Sequence, residues 1–443
     1  MQDANNSIFL LCFEFPPVNS GGSQRPFKFA KQLRQYGYNP IILTPEIGEQ
    51  RIDTSLQSEL EAAELTVITT PINSPNRWTS LSTSYYFNIQ DDLGTRWYPH
   101  LRESMVFLVQ TYQPALLFAT LPPFSMGEVA MKLAKEFHLP LVLDWRDAWS
   151  QWNVTPYASR LHYALTLRQE RRLLDFASHN IVTSEQTRLD FLAVHPALSS
   201  KAISVITNSY EGEPHPYNTV RKNPEKITIG YVGSFYYNTY SQFLMDAPWW
   251  KKRPHQYVQY TPRKENWLYR TPWFLFEALA LLQQQHLEQA KRIEVVFAGK
   301  KEPWFDDMVQ HFGVKDRVRH IGWLTHEASL AFQSGCDALL LTSSKVEGGR
   351  DYSIAGKTFE YFKLGKPIIG FICEGAQRDL LAASGQAILC DPDNAQAAME
   401  KLYQYVEGMH RPQPDRSFIE KFETKQTTEK LARVFDELCG NSH

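Results

Sequence analysis

The chain has 443 residues, 43% hydrophobic and 21% charged, an ordinary soluble composition that excludes large-scale disorder and suggests two or three domains. Its formal net charge of −2 excludes the strongly basic surface that phosphate-backbone binding leaves, so no nucleic-acid partner is expected. Cys12, Cys336, Cys373, Cys390 and Cys439 are widely spaced and carry no metal or redox motif, and the polar start and interrupted apolar run 8–13 suggest neither a signal peptide nor a span. A cytoplasmic protein is expected.

In chain order, short apolar runs at 8–13, 40–44, 65–69, 115–119, 141–144 and 180–183 alternate with amphipathic stretches, the spacing of parallel strands joined by crossover helices. After the polar, Pro-bearing stretch 208–226 the pattern restarts with "ITIGYVG", "IEVVFAG", "DALLLT", "PIIGFI" and "AILC". The fold class is α/β, with two doubly wound, Rossmann-like domains. The expected boundaries are 1–210, a linker at 211–226, a second domain at 227–412 and a terminal helix at 413–443 that packs back on the first domain. That helix has apolar positions at Phe422, Leu431, Val434, Phe435 and Leu438.

Ligands of open α/β sheets bind at the carboxyl ends of the strands, so the loops leaving them carry the candidates. The loop after the first run holds Gly21 and Gly22 ahead of a helix, where backbone can approach a phosphate or sugar, and Arg25 adds a fixed charge. The alternative is a plain strand-to-helix turn. "LDWRDAW" ends another strand with Asp144, Arg146 and Asp147, either a structural ion-pair cluster or groups that bind an acceptor and polarise a hydroxyl. The stretch 159–177 mixes apolar positions with Arg160, Arg168, Arg171 and Arg172, which suits a solvated helix or one lying on an anionic membrane.

The second half opens on Gly233 and Ser234, the counterpart of the glycine turn. An insertion at 235–272 follows, with Trp249, Trp250 and Trp267 and a "KKR" run; it reads as a satellite core or as an aromatic, basic lid or membrane-facing surface. Arg270 precedes Pro272 at a predicted helix start. Last comes "GKTFEYFKLGKPIIG", a helix entered through Gly356 and left through Gly365. A lysine in the first turn opposes the helix dipole. With free N–H groups it would suit a diphosphate, and Glu360, one turn on, could accept from both hydroxyls of a ribose; a solvated lysine and a dipole-compensating acid are the alternative. No Asp-x-Asp metal signature stands out, so no metal and no cofactor are expected.

Together, "FPPVNSGGSQR…AKQLRQYGY", "LDWRDAW", "ITNSYEG", "YVGSF" and "GKTFEYFKLGKPII" resemble the GT-B glycosyltransferases, in particular the retaining family four, over nearly the whole chain. The resemblance implies two domains facing a cleft and transfer of a sugar, with retention, from a nucleotide diphosphate sugar to a glycan or lipid-linked acceptor of a surface polysaccharide. UDP is the usual nucleotide, and peripheral contact with the inner membrane face fits such an acceptor. It implies donor contacts from Gly21, Gly22, Gly233, Ser234, Gly348, Gly349, Lys357, Thr358 and Glu360. Charge stabilisation falls to Arg270 and Lys357, with Asp144 near the chemistry and Arg25, Arg146 and Asp147 toward the acceptor.

This sequence departs from the family in two places. The family's first glutamate would fall at 360 − 8 = 352, which is Tyr352, and Glu347 is offset by five more residues. Thr120 stands where the family often has a histidine. The missing glutamate keeps a non-catalytic nucleotide-sugar-binding scaffold open, and a nucleotide-sugar epimerase of the same two-domain fold would keep the nucleotide site but need no acceptor.

Overall fold

The computed structural model describes residues 6–46, 48, 52–75, 91–151, 156–198, 203–217 and 225–440. Part of the expected linker, 218–224, lies outside them. The chain forms two compact units: Met1–Glu211 with Leu244–Pro262 and Thr424–His443, and Gly212–Phe243 with Arg263–Glu423. Among the described residues no helix is long and apolar enough to cross a membrane.

The first unit is built on a seven-stranded parallel sheet. Its strands are β1 (Ser7–Leu11), β2 (Asn39–Pro45), β3 (Thr66–Thr70), β4 (Leu117–Leu121), β5 (Leu141–Trp145), β6 (His179–Val182) and β7 (Ile203–Val205), in the order β3-β2-β1-β4-β5-β6-β7. Every residue of β1, β4 and β5 is buried, as a parallel sheet covered on both faces requires. Phe9 lies opposite both Ile41 and Leu117, so the strand order reverses around β1. The loops leaving β1 and β4 therefore part at the switch point.

The terminal helix Thr424–Cys439 adds Leu431, Val434 and Phe435 to this unit's core beside Phe27, Leu33 and Phe118. The Tyr38 hydroxyl donates to Asp436 at 2.6 Å, and the Tyr38 and Phe435 rings meet edge to face. The expected single helix is in fact two. Arg416–Glu420 belongs to the second unit, with Phe422 packed on Phe359, and the chain changes units at Thr424, where Tyr210's carbonyl accepts the Thr424 N–H.

The second unit carries β8 (Ile227–Val232), β10 (Ile293–Ala298), β11 (Val318–His320), β12 (Ala338–Thr342), β14 (Ile368–Phe371) and β15 (Ala387–Cys390), in the order β11-β10-β8-β12-β14-β15. A short antiparallel ribbon pairs β9 (Glu265–Asn266) with β13 (Lys345–Val346). The order reverses around β8, placing the crevice between the loops after β8 and β12. The insertion expected inside this domain is divided. Residues 244–262 pack with the first unit, because Tyr260 pairs with Tyr157 through two backbone hydrogen bonds, while 263–272 remain with the second.

Candidate functional site

The second unit gathers its polar groups at the switch point. Gly356 and Gly365 bracket the helix Lys357–Leu364, and the left-handed φ of +58° at Gly365 stops it against the carbonyls of His215 and Pro216. The helix follows β12, so its first residue reaches across to the end of β8. There Lys357 Nζ donates to the Val232 carbonyl at 2.9 Å and sits 3.8 Å from the centre of the Tyr231 ring, which stacks on Phe235. Enclosure by protein pushes this ammonium down to about 8 from its ordinary 10.5; the charge of Glu360 opposes that shift and Arg270 adds to it.

Two cations thus share one enclosed corner. Arg270 leaves the turn Trp267–Arg270, its guanidinium stacked 4.7 Å over Trp267, its Nη2 donating to the Ser353 hydroxyl and lying 3.7 Å from Asp351. Its Nε is buried and has no hydrogen-bond partner among the described residues. Asp351 is itself fastened by Ser344 Oγ at 3.0 Å and by the N–H and hydroxyl of Ser353 at 2.9 and 2.8 Å. That relay sets the direction of Arg270. Lys357 is held at lowered basicity beside it, and such a pair is set to receive a dianion.

Several expected donor contacts take a different form. Gly233 gives its N–H to Ala298, so it offers no donor; its φ of +132° and missing side chain instead make room for Lys357 Nζ, which a Cβ would approach to 2.9 Å. Thr358 is fully buried and its N–H goes to Ala355, while Phe359 N–H goes to Gly356 and Ala355 N–H to Gln377, so a tight first turn consumes donors expected to be free. The lysine, more than the helix N–H groups, carries the charge of this corner. Glu360 is half-buried one turn on, and Ser234 is half-buried just beyond Gly233. Gly348 and Gly349 lie exposed just beyond β13, the latter giving its N–H to Val346.

Tyr352 is buried beneath the Arg263 guanidinium, 5.0 Å from its ring centre. Arg263 in turn pairs with Glu265 at 2.8 Å, a carboxyl whose burial pushes it up to about 7 against the pull of that arginine. Asp351, Tyr352, Arg263 and Glu265 therefore form a packed charge cluster behind Arg270. Sequence reasoning missed it, since no spacing joins Glu265 to Tyr352; the Arg263 guanidinium, paired with the one and lying over the ring of the other, does.

In the first unit two of the expected site residues are engaged with each other. Arg25 and Asp144 are both buried and bind each other twice, at 2.9 and 2.7 Å, and Arg25 also donates to the carbonyls of Ile206 and Thr207 at 2.9 and 2.7 Å. A guanidinium and a carboxylate buried and bonded to each other in this way form an ion pair that holds β5 to the helix after β1. Arg146 is half-buried and donates to the Leu121 and Pro122 carbonyls, tying the loop after β5 to that after β4. Gly22 faces Arg146 and Glu14 so closely that a Cβ would stand 2.2 Å from each, whereas Gly21 is exposed. Asp147 is half-buried next to Arg146 in sequence, and Thr120 is buried in β4. Among the described residues no group of three or more His, Cys, Asp or Glu could hold a metal ion.

Residues 20–208 match the family model described as "Glycosyl transferase 4-like domain", and residues 272–421 match "Glycosyl transferases group 1". No curated protein matches the sequence. Solved structures do. HepE of Anabaena, in complex with UDP and glucose, is 15% identical, with 97% of this chain and 99% of its own covered and a TM-score of 0.60. Sucrose-phosphate synthase of Thermosynechococcus elongatus is 14% identical over 99% and 100% of the chains, TM-score 0.65. The UDP-GlcNAc 2-epimerase of Methanocaldococcus jannaschii is 9% identical over 97% and 99%, TM-score 0.50. At these identities the likeness is one of fold.

Proposed function

This chain is a GT-B glycosyltransferase, and from that premise we propose that it moves a hexose from a nucleotide diphosphate sugar, with UDP as the nucleotide, to a lipid-linked or polysaccharide acceptor with retention of configuration. The observation that carries the donor half is the meeting of Lys357 and Arg270 at the end of β8, two cations enclosed together at the switch point of the second sheet. A leaving diphosphate neutralises both. UDP as the nucleotide is supported by HepE, whose structures hold UDP and UDP-glucose.

In this reading Lys357 and Arg270 stabilise the charge that develops on the leaving oxygen, already positioned by Val232, Tyr231, Ser353 and Asp351. Glu360 takes the ribose hydroxyls. Gly21, Ser234 and Gly348 add backbone contacts to the donor, and Arg146 and Asp147 are the first unit's groups toward the acceptor. Retention follows from the family resemblance, as does the use of the leaving diphosphate to deprotonate the acceptor on the same face, while a cytoplasmic location rests on the reading of the five widely spaced cysteines as reduced. No cofactor is invoked.

Gly233→Ala tests the packing of the corner. It should cost about 1–3 kcal/mol of stability from backbone strain and weaken UDP binding by roughly tenfold as Lys357 is displaced. Titration calorimetry checks this, and unaltered affinity would show that the lysine's seat is irrelevant to the nucleotide. The function is tested by incubation with mass-tagged nucleotide sugars. Transfer, or slow release of free sugar with retained configuration, is expected. Isomerised nucleotide sugar would make the protein an epimerase, and binding without turnover a scaffold.

A further inference from the structure

The first unit gathers on one face two features that lie far apart in the sequence. The segment 244–262 is rooted by buried Leu244, Met245 and Gln256, the last accepting the Arg253 N–H at 2.9 Å. Its return limb is pinned to the start of the basic helix Arg160–Phe176, through the backbone pairing of Tyr260 with Tyr157, the Tyr163 ring 5.2 Å from that of Tyr260, and the Arg160 guanidinium 5.3 Å over the same ring.

The tip does the opposite of a satellite core. Trp249, Trp250 and Val258 are 64%, 66% and 65% exposed, and Tyr257 is exposed beside them. Trp249 holds Trp250 and Tyr257 edge to face, with centroids at 6.0 and 5.7 Å. Lys251 and Arg253 are exposed between these rings, Asp246 is the exposed acid of the segment, and Arg160 and Leu161 are exposed where the return limb is pinned. One exposed indole needs no explanation, but apolar side chains of this size gathered on one short segment do.

We propose that this face seats the first unit on an anionic phospholipid surface. Tryptophan and tyrosine favour the headgroup boundary of a bilayer, where the ring is buried and the polar edge stays wet, and Val258 enters beside them. Lys251, Arg253 and Arg160 meet lipid phosphates there, so the charge of the face matches the surface. A glycan platform would use the indoles and leave the flanking cations and the exposed valine without a purpose. This inference is independent of the donor site, because it concerns binding without turnover.

The test uses the whole chain and vesicles of phosphatidylcholine with or without phosphatidylglycerol. The protein should sediment with the anionic vesicles alone, be released by salt, and show tryptophan quenching by brominated lipid. Trp249→Ala with Trp250→Ala should lower the partition coefficient by about tenfold or more. Lys251→Ala with Arg253→Ala should lower it by about thirtyfold, each cation contributing about fivefold. Both pairs should leave UDP binding unchanged. The proposal is overturned if the parent stays in the supernatant with both vesicle types, or if either pair of substitutions leaves sedimentation unchanged. It is equally overturned if light scattering without lipid shows a dimer that the tryptophan substitutions dissociate, or if glycan protects these tryptophans while vesicles do not.

Discussion

Lys357→Ala and Glu360→Ala should each weaken UDP binding by about 1.5–3 kcal/mol, roughly ten- to a hundred-and-fifty-fold, while the protein stays folded. The lysine has no structural duty that demands its charge. It gives one hydrogen bond to Val232 and covers the Tyr231 ring, and its enclosure lowers its basicity. Between about pH 8, its value in the folded chain, and the ordinary 10.5, the unfolded chain holds this proton more firmly. Stability therefore rises with pH across that window, so the charged lysine is a liability to the empty fold at neutral pH. The diphosphate reverses the balance by favouring the charged form. UDP affinity should accordingly fall as pH rises through about 8, by up to tenfold per pH unit, and this dependence should vanish in Lys357→Ala. An affinity flat in pH for the parent would remove the ammonium from the site.

Asp144→Ala should cost about 3–5 kcal/mol of unfolding free energy, a larger loss than that expected of Gly233→Ala. The substitution leaves Arg25 enclosed, still bonded to the carbonyls of Ile206 and Thr207 but without its counter-charge. Asp144→Asn, which keeps an acceptor and loses the charge, should fall between the parent and the alanine variant. Urea unfolding followed by near-UV circular dichroism reads the difference in the first unit. UDP affinity per folded molecule should be unchanged in both variants. A stable Asp144→Asn protein that binds donor but no longer turns it over would return this aspartate to the chemistry.

The two outcomes mark what the sequence could and could not show. Strands built from long apolar runs were legible because parallel strands buried on both faces need continuous hydrophobic residues, as in β1 and β12. The three-residue edge strands β7 and β11 and the ribbon of β9 with β13 were not, since so few residues carry no period. Lys357 was legible through a local contradiction, a cation at the positive end of a helix bracketed by glycines. The pairing of Arg25 with Asp144 spans 119 positions and that of Arg270 with Ser353 spans 83, so only folding reveals which charges are already used. For the same reason the sequence suggested free N–H groups at the start of the helix, where Ala355 and Gly356 in fact accept them. The insertion's tryptophans looked alike in sequence, yet Trp267 is buried under Arg270 and Trp249 and Trp250 face outward.

The central claim is that the second unit binds the donor through its diphosphate, and a crystal structure with UDP tests it most directly. The expected result has phosphate oxygens within hydrogen-bond distance of Lys357 Nζ and the Arg270 guanidinium, and the ribose hydroxyls on Glu360. Nucleotide bound with its phosphates away from both Lys357 and Arg270 would contradict it.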